Sequence, residues 1–108
     1  VIYAQSMVET GYLGFGGAVK PEYCNFSGLG ATDSGGEPNR FSNVYEGFLA
    51  QAQHLRAYAG YAPLSSTIVD QRYGTWLFGR ATTVEGLSGT WASGTGYGAS
   101  ILAILYGI

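Results

Sequence analysis

The sequence predicts a mainly helical protein with a small irregular or β-hairpin lobe. Apolar residues recur at helical spacing near both ends and in the middle of the chain. A glycine-rich stretch without a sustained period separates the first of these segments from the second. With 108 residues the chain can bury one core. We therefore expect a single domain over residues 1–108, with a helical body beside the lobe.

The clearest helix is predicted from Asn43 to Ala59. Ser42 or Asn43 can cap it, and Glu46 stands three residues after Asn43, where a carboxylate completes a capping box. Gly60 is expected to end it. An apolar stripe runs along this helix at spacings of three and four residues: Val44, Phe48, Ala52, Leu55 and Ala59.

Shorter elements are predicted on either side. Val1 to Thr10 forms a helix stopped by Gly11, which turns the backbone left-handed. Gly11 to Arg40 forms the lobe, and Thr83 to Leu87 a short helix. Gly96 to Tyr106 is an apolar helix. Four of its residues cover an arc wide enough to imply burial on more than one side: Ile101, Leu102, Ile104 and Leu105.

The composition makes several partner classes poor candidates. Charged residues are 11% of the chain, and the net charge is −2. Phosphate binding needs clustered cations, but here they are scattered along the sequence: Lys20, Arg40, Arg56, Arg72 and Arg80. We therefore expect no nucleic acid and no anionic membrane surface as partner. No apolar run reaches about 18 residues, so no membrane span is expected.

The cysteine and histidine content argues against metal chemistry. Cys24 and His54 stand alone in the sequence, and they cannot supply the three or four ligands of a zinc site. We expect no metal and no cofactor. His54 is predicted to be structural or on the surface, and Cys24 a small buried hydrophobe. Aromatic residues, at 15%, suit stacking on sugar rings but also fill cores, and Trp91 is assigned to the core.

Glu9 is the candidate catalytic residue. It stands in the last turn of a mostly apolar helix that leads into the glycine-rich lobe. Partial burial and the negative end of the helix dipole would both raise its pKa. A carboxylic acid kept neutral in this way can protonate a departing glycosidic oxygen. The alternative is an ordinary exposed glutamate at a helix end.

Seven segments, in order, resemble one family. They are residues 4–11 (AQSMVETG), 16–32 (GGAVKPEYCNFSGLGAT), 41–47 (FSNVYEG), 50–58 (AQAQHLRAY), 69–73 (VDQRY), 89–92 (GTWA) and 96–98 (GYG). Together they resemble the bacterial endo-β-N-acetylglucosaminidase (glucosaminidase domain) family of the lysozyme-like superfamily. The resemblance covers almost the whole chain.

This resemblance implies an α+β lysozyme-like fold with a glycan cleft between body and lobe. Glu9 takes the position of the catalytic acid. The implied substrate is the β-1,4 glycan of peptidoglycan, cut after N-acetylglucosamine by a secreted, cell-wall or phage-associated hydrolase, as in an autolysin. Asn25 and Phe26 fall in the cleft wall, where the amide can bond an acetamido group and the ring can stack on a sugar. Turn capping is an equal alternative for Asn25.

Three departures from the family pattern qualify this reading. Many relatives have a tyrosine that assists the reaction where this chain has Phe41, and Tyr45 or Tyr73 are the candidates to replace it at the substrate. Asp70 is followed by glutamine instead of proline, which should loosen a turn. Relatives also carry another helix ahead of residue 4, so we expect a second copy of the chain or a further segment to cover that edge.

The second catalytic group is open at this stage. Asp33 and Glu37 are the acids in the lobe that can face Glu9, with Asp33 taken as the catalytic candidate, although loop acids beside glycines are more often solvated. The substrate's own acetamido oxygen is the alternative nucleophile. A rival function is a catalytically weak or inactive module that binds cell-wall glycan or builds a phage tail.

Overall fold

Three α-helices carry the fold: α1 (Ile2–Thr10), α2 (Val44–Tyr58) and α3 (Tyr97–Gly107). The computed structural model describes residues 1–15, 20–30, 38–62, 67–92 and 96–107. Within these ranges the remaining regular structure consists of short 3-10 turns at Pro21–Tyr23, Thr75–Leu77 and Glu85–Leu87. The β pairing there is confined to one isolated bridge between Ser88 and Ala92. The protein is mainly helical, as the sequence predicts.

The helix ends follow the predicted signals. Gly11 has a φ of 59°, and its N–H donates to the carbonyl of Met7, which closes α1. At the start of α2, Asn43 Oδ1 accepts the N–H of Glu46 at 2.8 Å. Glu46 Oε2 in turn accepts the N–H of Ser42 at 3.4 Å, one residue ahead of the cap. The capping prediction is confirmed, with this shift of one residue.

The face that α2 buries is not its apolar stripe. Its buried residues are Gly47, Ala50, Gln51, Gln53, His54, Ala57 and Tyr58. Val44, at the head of the stripe, is 53% exposed, and Leu55 is half-buried. The small residues allow close approach, because a Cβ on Gly47 would lie 1.8 Å from the Cys24 carbonyl oxygen. The polar residues on this face are hydrogen-bonded, and these bonds offset the cost of removing their polar groups from water.

Two apolar clusters form the core. The first joins all three helices and contains Ala4, Ala57, Tyr58, Leu77, Ala81, Leu87, Tyr97 and Ile101. The second lies under the lobe and contains Leu29, Phe41 and Ala50. Trp91 packs against both, and its indole Nε1–H donates to the Ser27 carbonyl at 2.8 Å. The assignment of Trp91 to the core is confirmed, and it fastens the lobe to the body.

One face of α3 is buried. Ile101 is completely buried, but the other three residues of the predicted wide arc are half-buried: Leu102, Ile104 and Leu105. The prediction of burial on more than one side is wrong for this helix: α1 and the 3-10 turn at Glu85–Leu87 are the described elements that pack on it, and Tyr106 is 81% exposed. Among the described residues, no helix combines the length and apolarity needed to cross a bilayer.

Gly47→Ala should destabilise the protein, although alanine is the better helix former by about 1 kcal/mol. The added methyl would overlap the Cys24 carbonyl, so the lobe would have to move away from α2. We expect a loss of about 1–3 kcal/mol in the free energy of unfolding, measured by urea denaturation. Gly96→Ala is the control, because a Cβ at Gly96 meets nothing within 4 Å. Equal stability of the two variants would contradict the close approach.

Candidate functional site

The Glu9 carboxyl group lies between α1 and the lobe. Glu9 is half-buried at the end of α1. A Cβ built on Gly28 would come within 2.6 Å of Glu9 Oε2, so the carboxyl is in direct contact with this glycine. The side chain therefore faces the glycine-rich segment, as the sequence predicts, and not open water.

Tyr97, the first residue of α3, holds the other carboxyl oxygen. Its hydroxyl donates to Glu9 Oε1 at 2.5 Å. The same hydroxyl oxygen accepts a hydrogen bond from Gln5 Nε2 at 3.0 Å. Gln5 Oε1 accepts from Gln51 Nε2 at 2.8 Å. These three hydrogen bonds run in one direction: each donor lies on the side of α2 and each acceptor on the side of Glu9, through Gln5 of α1 and Tyr97 of α3.

This chain of hydrogen bonds lies in the protein interior. Gln5 and Gln51 are both 0% exposed. Ser6 adds a bond from its hydroxyl to Gln51 Oε1 at 3.3 Å, which fixes the orientation of that amide. Because bonds that run in one direction polarise one another, the Tyr97 hydroxyl is a strong donor toward Glu9.

Burial and hydrogen bonding act on the Glu9 pKa in opposite directions. Burial raises the pKa of Glu9 above 4.5, and the Tyr97 hydrogen bond acts in the lowering direction without cancelling it. The pKa of Tyr97 is itself strongly raised, first by burial and then by the adjacent Glu9 charge, so the phenol keeps its proton. Glu9 is therefore the group that titrates, and Oε2 is the oxygen left to carry its proton.

The backbone that follows Glu9 is strained. Tyr12, Leu13 and Phe15 all have a positive φ, which costs a side-chain-bearing residue about 1 kcal/mol or more. Thr10 secures this turn: its hydroxyl accepts the N–H of Leu13 at 2.9 Å, and its carbonyl accepts the N–H of Phe15 at 2.9 Å. The turn directs the chain from α1 into the lobe beside the carboxyl group.

A cavity of about 210 Å³ adjoins the lobe contact at Gly28. It is lined by Gly28, Leu29, Gly30, His54, Tyr58, Arg72, Trp76, Arg80, Thr90 and Trp91. Glu9 does not line this cavity, but Gly28 belongs to its wall and also contacts the Glu9 carboxyl. The two features are thus separated by a single residue.

His54 and Asp70 form a buried pair behind the cavity. His54 Nδ1 lies 2.7 Å from Asp70 Oδ2, and both side chains are inaccessible to solvent or nearly so. The other carboxylate oxygen accepts the backbone N–H of Arg72 at 2.9 Å, and the N–H of Asp70 donates to Gln53. The prediction of a structural His54 agrees with these contacts, which anchor the 67–73 segment to α2.

Two of the predicted substrate-binding residues are engaged within the lobe. Asn25 is 1% exposed, and its amide is committed to the backbone: it donates to the carbonyls of Leu29 and Asn39 and accepts N–H groups of Ser27 and Leu29. These contacts favour the turn-capping alternative for Asn25. Phe26 is half-buried and stacks on Phe48, with ring centroids 4.5 Å apart.

The remaining predicted site residues lie in different surroundings. Tyr45 is 72% exposed on the first turn of α2. Tyr73 is half-buried and packs edge-on against Phe78. Asp33 and Glu37, the candidates for the second carboxylate, lie outside the described residues. In the ranges described, no group of three or more histidine, cysteine or acidic side chains is arranged to hold a metal.

Sequence reasoning missed three residues of this region. Tyr97 stands 88 positions from Glu9, and no local pattern links the two. Arg72 and Arg80 appear as scattered cations in the sequence but line the same cavity in the fold. The only signal for Tyr97 was its place in the last of the segments that resemble the glucosaminidase family.

Comparison with known proteins leaves the family of the chain open. The chain is similar to an uncharacterized protein of Borreliella burgdorferi, with 42% identity over 105 residues. The alignment covers 97% of this chain and 52% of that relative, so the chain spans about half the relative's length. No family model matches the sequence, and no solved structure matches it.

Replacing Glu9 by glutamine should change how stability depends on pH. Burial places the folded-state pKa of Glu9 above 4.5, so between pH 4.5 and that raised pKa the folded protein binds more protons than the unfolded chain. Wild-type stability therefore falls as pH rises through this window. We expect Glu9→Gln to be more stable than wild type at pH 7, with a smaller advantage at pH 4, in urea denaturation.

Glu22→Gln is the control for this measurement, because Glu22 is an exposed glutamate in the same lobe region. It should show no advantage that grows with pH. A Glu9→Gln protein that is less stable than wild type at pH 7, or whose advantage does not change with pH, would contradict the raised pKa.

Proposed function

We propose that the chain is a glycoside hydrolase that cleaves the β-1,4 glycan of bacterial peptidoglycan after N-acetylglucosamine, with Glu9 as the general acid. The observation that carries this proposal is the Glu9 carboxyl, whose pKa is raised by burial and whose Oε1 is held by Tyr97. The order of the segments that resemble the glucosaminidase family supports it. A lysozyme-like arrangement, with the glycine-rich lobe opposite the helices, belongs to the same proposal, as do secretion and action on the cell wall.

In the proposed reaction, Glu9 Oε2 gives its proton to the glycosidic oxygen as the bond from that oxygen to C1 breaks. The bonding electron pair leaves with the oxygen, and Glu9 becomes a carboxylate. The Tyr97 hydroxyl, already aligned on Oε1, stabilises that new negative charge without any rearrangement. The proton donor and its stabilising partner are therefore set in place before the substrate arrives.

The positive charge that develops at C1 needs a nucleophile. Burial raises the pKa of Glu9 and the Tyr97 hydrogen bond acts against that rise, and no described carboxylate is among the causes. Asp33 and Glu37, the candidate second carboxylates, lie outside the described residues, so the proposal takes the substrate's own acetamido oxygen as the nucleophile, which forms a bond to C1 as the glycosidic bond breaks. Water then attacks C1 and loses its proton to the Glu9 carboxylate, which regenerates the acid and releases the acetamido oxygen.

Phe41 lacks the hydroxyl that many glucosaminidase-like sequences have at its position. In this protein Phe41 is 8% exposed and packs in the cluster with Leu29 and Ala50. Tyr97 supplies a phenol to the acid from α3 instead. The proposal therefore does not depend on a hydroxyl at position 41.

Glu9→Gln tests the proposal directly. Glutamine keeps an acceptor for Tyr97 but cannot donate a labile proton, so we expect cleavage of purified peptidoglycan to fall by about 100-fold or more. New reducing ends at N-acetylglucosamine are counted by mass spectrometry of the released muropeptides, with folding checked by circular dichroism. Glu22→Gln should retain full activity. Full activity in folded Glu9→Gln, or glycan binding by wild type without new reducing ends, would overturn the catalytic role.

Tyr97→Phe should shift the pH profile of the reaction. The Tyr97 hydrogen bond lowers the Glu9 pKa, so without it that pKa rises and the acid form persists to higher pH. We expect the alkaline limb of kcat to move to higher pH while the maximum falls about tenfold, because the nascent carboxylate loses its donor. Tyr106→Phe, an exposed tyrosine on the same helix, is the control. A limb that moves to lower pH would contradict the arrangement.

A further inference from the structure

The cavity beside Gly28 concentrates positive charge. Arg72 and Arg80 are two of the five lysine and arginine residues in a chain of net charge −2, and both line this cavity. Both are exposed. Among the described residues, the one ion pair within 4 Å joins His54 to Asp70, so neither arginine is paired with a carboxylate there.

Both guanidinium groups act on the same point in the cavity. Burial raises the pKa of Tyr58, which lines the cavity; the positive charge of Arg80 acts against that rise, the Asp70 carboxylate adds to it, and the positive charge of Arg72 acts against it. The Tyr58 hydroxyl donates to the Thr90 carbonyl at 3.2 Å, so the phenol is fixed in place. Two cations from different turns of the chain thus converge on one wall of one cavity.

The acid behind the cavity is already occupied. Asp70 is 4% exposed, and its two oxygens accept from His54 and from the backbone N–H of Arg72. Arg80 is held by its Nε–H, which donates to the Trp76 carbonyl at 2.9 Å, and it lies 4.8 Å above the Trp76 ring. Within the described ranges its terminal nitrogens have no hydrogen-bond partner, and a guanidinium fork suits a carboxylate, which is a planar anion.

We propose that this cavity binds a carboxylate of the peptide stem that peptidoglycan carries on its glycan strand. This inference rests on the proposed function and concerns the peptide stem, a part of the substrate for which the Glu9 site provides no recognition. A volume of about 210 Å³ is below the roughly 300–1,000 Å³ of sites that enclose a drug-sized ligand, so it takes one small residue and not a sugar chain. Trp76 and Trp91 add aromatic side chains to the lining.

The position of the cavity suits such a subsite. Gly28 contacts the Glu9 carboxyl and also lines the cavity, so a glycan at Glu9 would have its peptide within reach of the arginines. Gly28 has a φ of +72°, and a side chain there would meet Glu9 Oε2. At this position, therefore, no side chain stands between the carboxyl and the cavity.

The test compares ligands with and without carboxylates, using Glu9→Gln protein so that no ligand is consumed. The probes are a neutral N-acetylglucosamine tetramer, a glycan fragment that carries its peptide stem, and the free stem peptide. Binding is measured by isothermal titration calorimetry. Adding Arg72→Gln and Arg80→Gln should weaken the two carboxylate-bearing probes about tenfold or more and leave the neutral tetramer unchanged.

A matched control removes the same charge elsewhere. Arg40 lies 4.0 Å above the Tyr23 ring, and Arg56 lies 5.2 Å above the Tyr61 ring, so each has a ring contact like that of Arg80. Arg40→Gln with Arg56→Gln should leave all three affinities unchanged. An equal loss in both double variants, or no loss in the cavity variant, would overturn the subsite.

The outcome also separates this inference from the proposed function. Suppose that the neutral tetramer does not bind, that the free peptide does, and that Arg72→Gln with Arg80→Gln abolishes binding of the peptide. The carboxylate subsite is then supported, and the assignment of a glycan substrate is wrong. If the double variant does not fold, Arg72→Gln alone and the salt dependence of the parent decide, because binding through these cations must weaken as salt rises. Salt-independent binding of the stem peptide would overturn the subsite.

Discussion

The one-way chain of hydrogen bonds from Gln51 through Gln5 and Tyr97 to Glu9 is the constraint on which the structure depends. It connects the three helices through buried polar atoms, each of which would be costly to leave unpaired. Its direction is fixed because the Tyr97 oxygen accepts from an amide and must give its own proton to the carboxyl. The core therefore orients the acid instead of merely burying it.

This arrangement explains why the lobe needs glycine where it meets the acid. Gly28 sits at a positive φ with its Cα against Glu9 Oε2, so any side chain there would be strained and would also collide with the carboxyl. Trp91 and Gly47 hold the lobe in this position, through the bond to Ser27 and the contact with Cys24. Burial of Glu9, and with it the raised pKa, follows from how closely the lobe can approach.

The sequence predicted the local features well and the long-range ones poorly. The caps at Gly11 and Asn43 are set by neighbouring residues, so the helices could be placed to within a residue or two. The buried face of α2 could not be predicted from the sequence. A glutamine can be buried only when its amide is hydrogen-bonded, and the partner of Gln51 on α1 lies 46 positions away. Arg72 and Arg80 line one cavity because of how residues 67–92 fold, and no periodicity in the sequence predicts that fold.

A titration of the Glu9 carboxyl itself is the sharpest test of the proposed proton donor. The carboxyl carbon of glutamate can be labelled with ¹³C, and the Glu9 resonance is assigned by its absence in Glu9→Gln. We predict a midpoint above 4.5, because burial outweighs the hydrogen bond from Tyr97. A midpoint at or below 4.5 would show that Tyr97 stabilises a permanently ionised carboxylate, and the proton donor on which the proposed reaction rests would be absent.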